Sequence, residues 1–104
     1  MALYYESHVT LDPVFGDRLD VLREACSAHG FRVAKLLMKK RGTDAGVPSD
    51  LDSFCTGTSR DLDGLRDTMQ ALILALKAGG FVVRRYKIET IVLDSRVDDE
   101  LHLL

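Results

Sequence analysis

The stretch A-H-G-F-R-V at residues 28–33 returns as A-G-G-F-V-V at residues 78–83. Each copy places glycine between the end of an apolar helical stripe and a phenylalanine that opens a run of strand-forming residues. Glycine accepts the left-handed backbone of a helix terminus without steric cost, so Gly30 is read as the stop of one helix and Gly79-Gly80 as the end of another. A helix-to-strand corner used twice at matching places implies two half-domains with the same order of elements.

Ahead of the first corner, Leu3 to Leu11 alternates. Leu3, Tyr5, Ser7, Val9 and Leu11 fall on one face, and Tyr4, Glu6, His8 and Thr10 fall on the other, as expected for a half-buried strand. Asp12-Pro13 breaks the pattern, and Asp17 is positioned to cap a helix bearing Leu19, Leu22, Cys26 and His29 at helical spacing. Phe31 to Lys40 alternates again, with Ala34, Leu36 and Met38 set against Val33, Lys35, Leu37 and Lys39. A turn-rich loop at residues 41–50 leads to a third strand around Ser53 to Thr58. A second helix beginning near Ser59 or Asp61 carries Leu62, Leu65, Met69, Leu72 and Leu76, and Phe81 to Leu93 supplies a fourth strand. The chain loosens into an acidic tail from Asp94, with residues 96–104 placed beyond a single domain of residues 1–95.

Strand, helix, strand, strand, helix, strand, with the corner repeated, is the order of the α+β ferredoxin-like split βαβ fold. That fold implies a four-stranded antiparallel sheet of order 4-1-3-2 with both helices on one face, so the first and third strands are central. A chain of 104 residues suits one core. Apolar residues at 46% and charged residues at 29% are ordinary for a globular domain, and the formal charge of -2 exerts no general pull on nucleic acid or acidic membranes. No signal-peptide pattern opens the chain, and the longest apolar run, Ala71 to Leu76, is far too short to span a bilayer, so a cytoplasmic location is expected. Cys26 and Cys55 lack zinc-site spacing and are read as small buried apolar groups.

Helices on one face leave the other face of the sheet open, and the polar side chains belong there. Glu6, His8 and Thr10 from the first strand, Thr56 and Thr58 from the third, and Lys35, Arg85 and Lys87 from the edge strands form a candidate site for a small anion. Threonine hydroxyls, Lys and Arg hold phosphate or carboxylate oxygens, and histidine transfers protons near neutral pH. Glu6 and His8 alone are a partial ligand set, so no metal and no cofactor is assigned. The glycines do not form a phosphate-binding or dinucleotide-binding loop. RNA binding is not expected, because the residues around Phe54 do not fit the RNA-recognition pattern. A homodimer is expected, with Tyr4, Phe54, Val33, Leu37, Val83 and Ile91 as apolar material for covering the open face. A protein partner on that face is the companion reading to the anion.

The segment H-V-T-L at residues 8–11 resembles one of the two His-x-Thr motifs of the 2H phosphoesterases, which open cyclic phosphodiesters. The resemblance implies an alternative function in which His8 is general acid or base and Thr10 orients an oxyanion. The corresponding stretch Thr56-Gly57-Thr58 lacks the second histidine, so two chains would have to complete the site. Binding, rather than catalysis, is the favoured reading.

Overall fold

Both repeated corners are built alike in the computed structural model, which describes residues 2–34 and 52–95. Helix α1 (Asp17–Ala28) ends at His29, and helix α2 (Leu62–Ala78) ends at Gly79. The next residues, Gly30 and Gly80, have φ of 74° and 87°. At the first corner, Phe31 N–H donates to the Cys26 carbonyl at 2.8 Å and Gly30 N–H to the Ser27 carbonyl at 3.2 Å; at the second, Phe81 bonds Leu76 at 3.0 Å and Gly80 bonds Lys77 at 3.0 Å. This is the Schellman pattern, and it satisfies the helix-end carbonyls while turning Phe31 and Phe81 into the core.

The strands are β1 (Tyr4–Leu11), β2 (Arg32–Val33), β3 (Ser53–Ser59) and β4 (Val83–Ile91). They form one sheet whose hydrogen-bonded pairs, β1 with β3, β1 with β4 and β2 with β3, are all antiparallel. From the β2 edge the order is β2-β3-β1-β4; 4-1-3-2 is the notation that starts from the β4 edge and names the same neighbours. Among the described residues the architecture is α+β, with an open four-stranded antiparallel sheet and two helices. Val9, Leu11, Val33 and Cys55 from the sheet share one core with Leu22 and Cys26 of α1 and Leu65, Met69, Leu72, Ile73 and Leu76 of α2.

Several local expectations need correction. Asp17 is the first residue of α1 rather than its cap; Gly16, at φ 56°, occupies the cap position, and no side chain caps that end. Val33 lies in the core and pairs with Cys55, whereas Arg32 is exposed and pairs with Thr56. The reason is the first corner: it sends Phe31 inward, and strand alternation then sends Arg32 outward and Val33 inward. Val83 also packs against the core, because a register shift after Thr10 pairs Leu11 with Val83 and skips Arg84. Asp94 is not loose, since it accepts a hydrogen bond from the Tyr4 hydroxyl. Lys35, Leu37 and the rest of the proposed second strand, the loop at residues 41–50 and the tail at residues 96–104 lie outside the described residues. Among those that are described, no helix is long and apolar enough to cross a membrane.

Cys26 of α1 and Cys55 of β3 are fully buried free thiols whose Sγ atoms are 3.2 Å apart. The hydrogen bond to Cys26, together with burial, pushes the Cys55 thiol above its ordinary range. Reaction with a thiol reagent requires both exposure and thiolate. Neither cysteine should therefore be labelled by a bulky disulfide reagent in the native protein, and both should be labelled in denaturant. Rapid native labelling, read by mass spectrometry, would contradict this packing.

Candidate functional site

Register places the polar residues of the open face in rows that run across the strands. Arg32 of β2 pairs with Thr56 of β3, Thr56 with His8 of β1, and His8 with Lys87 of β4. One row therefore reads cation, hydroxyl, imidazole, cation across all four strands. The next row reads Thr58, Glu6, Glu89, and on the opposite side of the first lies Phe54, Thr10, Arg85. Buried Ser53, Cys55 and Gly57 alternate with outward Phe54, Thr56 and Thr58 along β3. The sequence-derived set of Glu6, His8, Thr10, Thr56, Thr58, Arg85 and Lys87 thus shares one face, although Thr10 and Arg85 stand one row away from His8. Lys35 falls outside the described residues.

His8 is the hub of the face. Its Nε2 lies 3.4 Å from Oε1 of Glu6 and 3.0 Å from Oε1 of Glu89. The second oxygen of Glu89 accepts a hydrogen bond from Lys87 Nζ at 3.2 Å. That hydrogen bond and the lysine charge, aided by His8, hold the exposed Glu89 carboxyl below the ordinary carboxylate range. The Thr56 hydroxyl oxygen is shielded from solvent and has no hydrogen-bond partner among the described residues. A shielded hydroxyl without a partner is costly, so a side-chain rotation that turns it towards a ligand on the open face recovers a hydrogen bond.

Towards the β2 side, Arg32 and Arg60 line a depression of about 450 Å³ together with Thr58, Glu6 and the Tyr4–Asp94 pair. Arg32 also lines a smaller hollow with Thr56 and Thr58. Two residues that sequence reasoning did not place at the site, Arg32 and Arg60, thus supply its cationic edge. F-R-V at residues 31–33 carried the signal for Arg32, since an inward Phe and Val must bracket an outward Arg. The contact of Glu89 with His8 depends on the β1–β4 register, which neither strand reveals by itself. Compared with protein-family models and with curated protein sequences, the chain finds no match in either.

Proposed function

We propose that the chain is a ferredoxin-like domain whose open sheet face binds a small anionic ligand. The label is supported by the topology: each helix joins two parallel strands that have a third strand between them. The observation that carries the ligand is the row Arg32–Thr56–His8–Lys87, in which two cations and an imidazole flank a shielded, unpartnered hydroxyl. With strands spaced about 4.8 Å apart, a phosphate-sized group above Thr56 is within reach of both Arg32 and His8. Glu6 and Asp94 at the rim favour a ligand that also carries hydrogen-bond donors. A face-to-face dimer has less support than the residue pattern offered, because Val33 and Val83 serve the core rather than the open face.

Titration with inorganic phosphate and then pyrophosphate, followed by ¹H–¹⁵N NMR, tests this reading. Amide shifts should concentrate at Arg32, Thr56 and His8, and Arg32→Gln should weaken binding by about tenfold, equivalent to about 1.4 kcal/mol. Shifts absent from this row at saturating ligand would remove the proposal. Turnover of a cyclic phosphodiester that disappears in His8→Ala would replace it with the enzyme reading.

A further inference from the structure

Two carboxylates and an imidazole converge on one point of the open face, and we propose that Glu6, His8 and Glu89 bind a first-row divalent cation, with Zn²⁺ the best fit. β1 presents Glu6 and His8 two positions apart on the same face, and the β1–β4 register sets Glu89 directly opposite Glu6. Like charges facing each other across adjacent strands are destabilising; Lys87 offsets part of that at Glu89, and a cation between the two carboxylates would offset the rest. One ligand atom from each of the three side chains lies within 4.8 Å of the other two. Zinc bonds to nitrogen and oxygen at about 2.0–2.2 Å, which separates neighbouring ligand atoms by about 3.3–3.5 Å. The His8–Glu6 and His8–Glu89 distances of 3.4 and 3.0 Å are already in or below that range. The His8–Glu89 contact has to open slightly and the gap between the two carboxylates has to adjust, and Glu89, whose side chain is 47% exposed, has the freedom to move.

Lys87 adds an orienting contact. It holds Oε2 of Glu89 and leaves Oε1 directed at His8, the arrangement by which an outer partner aims a ligating carboxylate. Imidazole nitrogen with carboxylate oxygens suits a first-row ion such as Zn²⁺ better than Mg²⁺, which prefers an all-oxygen shell. His8 and Glu6 are partly shielded, at 27% and 22% side-chain exposure, and the side of the cation facing solvent stays accessible to water or an added ligand. This site shares His8 with the proposed phosphate row but rests on Glu6 and Glu89 rather than on Arg32 and Thr56, so zinc binding measured without phosphate tests it separately.

Calorimetric titration of the full untagged chain with ZnCl₂, in phosphate-free buffer at neutral pH, provides the test. We expect one equivalent bound per chain, together with a rise in melting temperature on adding Zn²⁺. His8→Gln and Glu89→Gln should each weaken binding by about tenfold or more and abolish the thermal shift, while Asp63→Asn, a distant exposed carboxylate on α2, should change neither. All three replaced side chains are solvent-accessible, and circular dichroism will confirm that the variants fold. Absence of Zn²⁺ binding by the wild-type chain would overturn the site, as would binding that survives both His8→Gln and Glu89→Gln.

Discussion

Gly57→Val is expected to lower the unfolding free energy by about 2 kcal/mol, measured by urea denaturation. Gly57 sits on the buried side of β3, between outward Thr56 and Thr58. A Cβ added there would lie 2.9 Å from both Cδ1 and Cε1 of the Phe31 ring, closer than carbon atoms pack. Phe31 is only 5% exposed and is tied to the Schellman corner through its N–H bond to Cys26, so its ring has little room to retreat. Overpacking of this kind costs about 1–3 kcal/mol. Replacing a strand glycine regains about 0.5–1 kcal/mol of chain entropy, which does not offset the clash. A second change, Phe31→Leu, should couple with Gly57→Val, so that the double variant is less destabilised than the sum of the singles. Full stability in Gly57→Val alone, or strict additivity in the double variant, would show that the ring does not occupy that space.

This packing also explains the glycine at the middle of T-G-T, where the first strand has the valine of H-V-T. The two strands are related in position, but Val9 fills the core while Gly57 yields its volume to Phe31. A substitution at Gly57 would therefore disturb Thr56 and Thr58, the two hydroxyls on the opposite face of the same three residues.

The corners were legible because a Schellman terminus is a local event, with glycine at C′, an apolar residue at C″ and hydrogen bonds that close within six residues. The open face was legible for a similar reason: strand alternation assigns Glu6, His8 and Thr10 together whatever their neighbours are. The phase of β2 was misread because Val33, Leu37, Lys35 and Lys39 form an alternation as regular as its complement. Only the inward turn of Phe31 decides between them. The Val83 error has a non-local cause, the register shift after Thr10, which no count along β4 alone reveals. The contact between Glu89 and His8 likewise belongs to register, a property of two strands rather than one. The site was thus readable as a set of residues on a face, but not as a set of contacts.

Ser7→Ala should make the protein more stable, by about 1–3 kcal/mol. Ser7 lies at the centre of the sheet, fully buried, paired across β1 with Gly57 on one side and Ile88 on the other. Its hydroxyl oxygen has no hydrogen-bond partner among the described residues. Ser53, the other buried serine among the described residues, differs: its Oγ accepts the Val14 N–H at 3.1 Å, so its hydroxyl is compensated. A desolvated hydroxyl without a partner opposes folding, and alanine removes it while leaving the backbone ladder of β1 intact. The void left by one oxygen costs roughly a few tenths of a kcal/mol at about 24 cal/mol per Å³, too little to reverse the sign. For a domain of this size the gain corresponds to a melting temperature higher by about 4–8 °C per kcal/mol. The same change at Ser53 should destabilise, because it strands the Val14 N–H. Opposite signs for the two serine-to-alanine variants are the expected calorimetric result, and a loss of stability in Ser7→Ala would mean that the Ser7 hydroxyl is bonded in the folded protein.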